Sequence, residues 1–194
     1  SNGDGIGYIF RSLGATRVVN GGQSMNPSTA DLLEAVEAIA SEHVIILPNN
    51  SNIVAVAEQV DSQTSKTIRV VETHTVTEGF ASLLGYDPEG TSDKNQTDMT
   101  QFSQMVESGE ITTAVRESAS DVGQIKKGDF LGLRKGKVTV IAETIVEATR
   151  NLLKEMISDD HEIITLVAGR DSNKKETDEV VAWVSNEYEA LEVE

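Results

Sequence analysis

The sequence predicts an α/β protein in which a parallel-sheet βα layer is followed by an α+β part with an antiparallel meander. Three observations predict it. Short β-branched runs alternate with helix-periodic segments through the first half, the pattern of right-handed parallel βα units. A polar stretch, "DPEGTSDKNQTD" from Asp87 to Asp98, breaks that alternation, with Pro88 and Gly90 near its start. Beyond it, two turn signals, Lys127-Gly128-Asp129 and Arg134 to Lys137, punctuate a run of short strands, as in a meander. The predicted division is a parallel α/β subdomain over residues 1–88 and an α+β subdomain over residues 89–194.

Each element has its own signal. "GDGIGYIFRSLG" places Ile6, Ile9, Phe10 and Leu13 at helical spacing, and Gly14 reads as the stop. "TRVVNGG" reads as a short strand ending in a turn. "PSTADLLEAVEAIA" reads as a helix capped by Ser28, with Asp31 three residues on and Leu32, Leu33, Val36 and Ile39 as its buried stripe. "HVIILPNN" is a continuous apolar run stopped by proline, as in a parallel strand covered on both faces. "SNIVAVAEQVDSQ" is the next helix, "TIRVVETHT" the next strand, and "VTEGFASLLG" a short helix closed by Gly85.

After the polar stretch, "TDMTQFSQMVES" reads as a helix and "EITTAVRES" alternates like a strand. "QIKKGDFLGLRKGKVTVIAE" carries the meander. "ETIVEATRNLLKEMIS" is an amphipathic helix and "HEIITLVAG" an apolar strand. The last helix, "NKKETDEVVAWVSNEYEA", points Val180, Val181 and Val184 inward, with Trp183 as a further candidate, and "LEVE" opens a final strand. Parallel units of this kind usually open on a strand, whereas this chain opens on a helix, so the expectation is that it begins inside a larger protein.

Composition narrows the function classes. The 194 residues suffice for a real core without a disulfide or metal staple. Cysteine is absent, which excludes disulfides, a cysteine nucleophile and thiolate metal sites, and agrees with a reducing cytoplasm. No apolar run reaches membrane-spanning length and no signal-peptide pattern opens the chain. The net charge is −16, from 32 acidic and 16 basic residues, so a phosphate backbone is repelled and nucleic acid is not an expected partner. Aromatics make up only 4%, too few for a base-stacking surface. The acidity is dispersed along the chain, as on a solvated face, and favours a basic protein partner.

Three segments are candidate binding sites. The entrance "GGQSMNPST" offers Gly21, Gly22, Gln23, Asn26 and Ser28 at a helix N-terminus. Free N–H groups there can cradle a phosphate or carboxylate; an ordinary strand-to-helix turn with a cap is the competing reading. "LPNNSN" places Asn49 and Asn50 at the C-terminal end of a predicted strand, the edge where open α/β sheets bind ligands. The alternative is an Asx turn and cap. "ETHTVTEG" puts His74 and Thr75 at the same edge after the next strand; His74 is a candidate general base or carboxylate partner, or a plain loop histidine. Parallel, adjacent strands would bring these three loops together. "SDDHE", Ser158 to Glu162, collects three carboxylates and a histidine but reads best as a solvated connector.

Catalytic motifs are missing. "GDGIGY" lacks the G-x-G-x-x-G spacing and a preceding strand, and "RKGKVT" has Val138 where a Walker A loop needs Ser or Thr. No paired-histidine metal helix and no G-x-S-x-G elbow occur. Neither catalytic nor metal-ligating residues are therefore assigned.

Four longer words occur in order: "FRSLGATRVVNGGQSMNPST" (Phe10 to Thr29), "VIILPNNSNI" (Val44 to Ile53), "THTVTEGFASLLGYDP" (Thr73 to Pro88) and "IKKGDFLGL" (Ile125 to Leu133). Together they resemble the C-terminal region of the bacterial dihydroxyacetone kinase-like (Dak) family, the large subunit of fatty acid kinase, over essentially the whole chain. The resemblance implies a DegV-like α/β fold and a cytoplasmic kinase. In such a protein an N-terminal domain, absent here, binds ATP and magnesium, so no cofactor is expected in this fragment. It also implies that a separate DegV-like protein carries the fatty acid, that the kinase phosphorylates its carboxylate, and that the acyl phosphate feeds phospholipid synthesis. The fragment is then a non-catalytic module docking the acyl carrier or other domains of the same kinase, with homodimerisation left open. Two alternatives stand beside it, a glycerone kinase-type substrate-binding domain and a structural dimerisation module. Relative to the family, the opening strand before Gly3 and a glycine-containing segment after Glu194 are missing. His74 matches no covalent substrate-binding histidine of the dihydroxyacetone-binding subunit.

Overall fold

The computed structural model describes residues 4–21, 26–169 and 172–194. Six of its helices begin on a Ser, Thr or Asn in extended conformation whose side chain accepts a backbone N–H from the first turn, the elementary way to satisfy the orphan donors of a helix start. The chain divides into two units, residues 1–107 and 108–194.

In the first unit, α1 (Asp4–Ser12) ends before Gly14, whose φ of +102° suits glycine. Of the apolar face expected on α1, Phe10 is buried and meets Phe80 with ring centroids 4.6 Å apart, whereas Ile9 and Leu13 stay exposed. α2 (Thr29–Glu37) follows, then β1 (His43–Ile46), α3 (Ser51–Glu58), a 3-10 turn (Asp61–Gln63), β2 (Thr67–Val70), α4 (Val76–Leu84) and α5 (Ser92–Gln104). β1 and β2 pair in parallel, Val44 opposite Ile68. Their core is Leu32 and Val36 of α2, Val44, Ile53 and Ala57 of α3, Val60 and Ile68.

One expectation is corrected here. The third parallel strand expected over "TRVVNGG" is not formed among its described residues, 16–21, which carry no strand. Val19 packs against the core without joining the ladder, so its β-branched character serves packing and not pairing. The two compact units divide after Glu107. α5 stays with the first unit because it closes the open side of β2: the Gln96 amide donates to the Val70 carbonyl (2.7 Å), and the Arg69 guanidinium donates to Asp93 (2.6 Å). The polar stretch is a capped helix start, with the Thr91 hydroxyl accepting the Lys94 N–H.

In the second unit only part of the expected meander forms: the strand before Lys127-Gly128-Asp129 pairs with the one that precedes it and not with the one after the turn. β3 (Gly109–Thr113), β6 (Phe130–Arg134) and β7 (Lys137–Ala142) form an antiparallel sheet in that order. β6 and β7 turn through Lys135 and Gly136, both at positive φ (51° and 73°), as a two-residue hairpin demands. A bulge between Gly132 and Leu133 sets Gly132 opposite Val140 and Leu133 opposite Val138. The expected strand "EITTAVRES" is split: β3 ends at Thr113, and Ser118–Ser120 (β4) pairs instead with β5 (Gly123–Ile125). α6 (Ile145–Met156) covers the sheet with Ala148 and Leu152 against Val140 and Ala142. β8 (Ile163–Ile164), far shorter than "HEIITLVAG" suggests, pairs in parallel with β9 (Glu192–Val193), the strand expected in "LEVE". α7 (Lys174–Glu187) buries Val180 and Val184, while Val181 and Trp183 are half-buried. The whole is a mixed α/β protein with small sheets.

Candidate functional site

The loops that leave β1 and β2 meet at the C-terminal edge of the parallel pair. Asn49 sits at φ +55°, a conformation Asn tolerates better than most residues. Its N–H donates to the Thr73 hydroxyl (3.0 Å), and that hydroxyl donates back to Asn49 Oδ1 (2.8 Å). Thr73 is fully buried, so the pair is a closed clasp between the two loops. Gly79 of α4 lies beneath it; a Cβ there would come within 2.1 Å of Asn49 Oδ1. Sequence reasoning assigned no role to Thr73 or Gly79. The available signal was "TEG", a glycine in the first turn of a helix, where only a close neighbour explains the missing side chain.

Asn50 caps α3, its Oδ1 accepting the Asn52 N–H (2.9 Å). Thr75 caps α4 by accepting the Glu78 N–H (3.2 Å), and Glu78 reaches back to accept the His74 N–H (2.6 Å). The imidazole Nδ1 of His74 lies 3.3 Å from the same carboxylate, with the ring half exposed. Asn49, Asn50, His74 and Thr75 therefore share one edge. Most of their polar groups are engaged in capping or in the clasp; Asn50 is half-buried and the ring of His74 half exposed.

The entrance before α2 is built differently. Gly22 and Gln23 lie outside the described residues; Gly21 is half-buried and Asn26 exposed. Ser28 and Asp31 form a capping box: the Ser28 hydroxyl accepts the Asp31 N–H, and the Asp31 carboxylate accepts the Ser28 N–H (2.8 Å) and hydroxyl (2.7 Å). The helix's own carboxylate thus occupies the position an external anion would take. Thr29 meets Gln59 (3.4 Å), at the end of α3 opposite Asn50 and about 13–14 Å away along the helix axis. "SDDHE" closes locally, the Ser158 N–H donating to His161 Nδ1 (3.0 Å). Among the described residues, no cluster of three or more His, Asp or Glu side chains is set to hold a metal. No described helix is long and apolar enough to cross a membrane.

Its bonds to the Ser28 hydroxyl, then to the Ser28 N–H, hold the Asp31 carboxyl below its ordinary value of 3.8, burial opposing only slightly. A depressed carboxylate stabilises the fold above its unfolded pKa, and the contribution is lost as pH falls through the lower folded value. The expected result is a carbon-detected NMR titration of Asp31 with a midpoint below 3.8 that rises toward that value in Ser28→Ala, where only the backbone N–H bond remains. An unchanged midpoint in Ser28→Ala would contradict the capping box.

The family model for the C-terminal region of FakA-like fatty acid kinase proteins matches residues 1–194. The chain belongs to that family. Among curated relatives it is 40% identical over 192 residues to protein YloV of Bacillus subtilis, covering 99% of this chain and 35% of that protein. It is also 40% identical over 194 residues to protein SH1689 of Staphylococcus haemolyticus and 38% identical over 194 residues to protein SAR1202 of Staphylococcus aureus, in each case 100% of this chain and 35% of the relative. The chain thus spans about a third of the length of the relatives it matches. The fatty acid kinase resemblance carried by the four sequence words is the family that the comparison finds.

Proposed function

We propose that this chain is the partner-docking module of a fatty acid kinase and performs no phosphoryl transfer of its own. The observation that carries the reading is the family match over the whole chain. In this reading ATP and magnesium bind another part of the full cytoplasmic protein, a DegV-like protein presents the fatty acid, and the acyl phosphate enters phospholipid synthesis. A DegV-like kinship of the fold belongs to the same proposal. The docking edge is formed by Asn49, Asn50, His74 and Thr75, and the Gly21–Thr29 entrance is its second element. The Asn49–Thr73 clasp supports this assignment, because it fixes both loops before any partner arrives, and a preformed edge loses less entropy on binding.

Calorimetric titration tests it. The fatty-acid-loaded DegV-like protein is expected to bind the chain saturably, whereas ATP with magnesium gives no binding heat. Silence toward the partner, or ATP binding, overturns the reading. Asn50→Ser retains an α3 cap while removing the amide, so a loss of affinity of about fivefold, on the order of one hydrogen bond, would reflect recognition and not folding.

A further inference from the structure

The chain has only eight aromatic residues, one Trp, three Tyr and four Phe. Two of them, Tyr86 and Phe102, stand on the surface where α4 meets α5, beside Leu84 and Met105. Leu84 is 67%, Met105 66% and Tyr86 50% exposed, although each could contribute to a core. Gly85 lets the chain pass directly over α5 between Leu84 and Tyr86: a Cβ there would come 2.7 Å from Phe102 Cδ2 and 3.0 Å from the Asp98 carbonyl.

The segment presenting Tyr86 is also held rigidly. Asn95 of α5, 3% exposed, accepts the Asp87 N–H (2.8 Å) and donates to the Asp87 carbonyl (2.8 Å) and the Gly90 carbonyl (3.4 Å). The Asp87 carboxylate accepts the Glu89 N–H (3.0 Å). A buried amide is thus used to fix a loop whose side chains face water. Charge adds the second half of the argument. From Leu84 to Glu107 there are five carboxylates against one lysine; Lys94 pairs with Asp98 and Arg69 with Asp93, and the exposed Asp87 and Glu89 beside Tyr86 keep the surround acidic.

We propose that this α4–α5 face is the apolar anchor of the docking module, and that it takes a protein surface bearing an apolar projection framed by Lys and Arg. The proposal rests on the docking reading above and places its anchor away from the clasp edge. Exposed Tyr and Met with a preformed backbone are what interface hot spots are made of, and the acidic surround selects a basic rim. A second copy of this chain is a poor occupant, because two such faces would bring like charges together in a protein of net charge −16.

The test titrates the 194-residue chain with the fatty-acid-loaded DegV-like protein at low and high salt, with folding checked by circular dichroism. The double variant Leu84→Glu/Met105→Glu, confined to exposed side chains, is expected to weaken binding by about tenfold or more. Glu89→Lys, which leaves the apolar cluster intact, is expected to slow association about threefold and to flatten the salt dependence. If the wild-type chain binds and both variants bind within twofold of it, the anchor is overturned while the docking reading stands. If the wild-type chain does not bind, both fall. A wild-type homodimer dispersed by Leu84→Glu/Met105→Glu would assign the face to a second copy and overturn the proposal.

Discussion

Gly79→Ala is expected to lower the melting temperature of the protein by about 5–10 °C, the equivalent of about 2–3 kcal/mol. The size follows from where the methyl group would go. It would stand 2.1 Å from Asn49 Oδ1, and that oxygen is not free to swing aside. The Asn49 side chain is short, its backbone is already at φ +55°, and both its N–H and its Oδ1 are tied to the buried Thr73 hydroxyl. Relief of the overlap therefore requires breaking the clasp or moving α4. Asn49→Gly tests this account, since glycine accepts the positive φ and removes the clashing amide. The cost of Gly79→Ala measured in the Asn49→Gly background should fall to well under half of its value alone, a coupling expected only of directly touching residues. A Gly79→Ala protein melting within a degree of the parent would show that the clasp yields easily and is no rigid platform.

The second large effect is expected at Leu152. This residue is 4% exposed and packs with Val140, Ala142 and Ala148 between α6 and the meander. Two strand glycines make room for it: a Cβ at Gly109 would meet Leu152 Cδ2 at 2.9 Å, and one at Gly132 would meet Leu152 Cβ at 3.3 Å. Leu152→Ala therefore leaves a void that neither strand has a side chain to fill, and a cost of about 3–4 kcal/mol is expected. Leu152→Met, which keeps the volume, should cost under about 1.5 kcal/mol. Equal losses from the two variants, in calorimetry or denaturant midpoints, would contradict a packing origin.

Legibility from sequence differed by the range of the interaction. Helix starts were readable because a cap is settled within four residues; Ser28 and Asp31 form the expected box, and Gly85 follows the expected end of α4. The β6–β7 hairpin was readable for the same reason, since Lys135-Gly136 fixes its turn locally. Strand membership was not. Val18 and Val19 carry β-branched character, yet pairing needs a free neighbouring edge, and no local signal reports that Gln96, twenty-six residues beyond Val70, closes the side of β2. The polar stretch shows the same limit: Pro88 and Gly90 announce a turn, but the buried Asn95 that pins this turn onto α5 reads in sequence as one more polar residue. The clasp edge was legible as a place, through Asn49, Asn50 and His74, and illegible as a mechanism, because Thr73 and Gly79 matter only through contacts at long sequence separation.

The surroundings of Trp183 bear on how this protein is observed. It is the only tryptophan in the chain, with Arg150 5.7 Å and Lys154 5.6 Å from its ring centroid and Tyr188 packed edge-on at 5.7 Å. The groups that flank its ring belong to residues 108–194, so emission under tryptophan-selective excitation, which leaves Tyr8 and Tyr86 dark, reports on that unit. Opening of the clasp, or melting of the parallel pair, passes unseen at that wavelength, whereas far-ultraviolet ellipticity counts every helix. Superimposable curves from the two signals would mean that the halves unfold as a single cooperative system. Displaced curves would mean that each half has its own transition, and the displacement would give the difference in their stabilities directly.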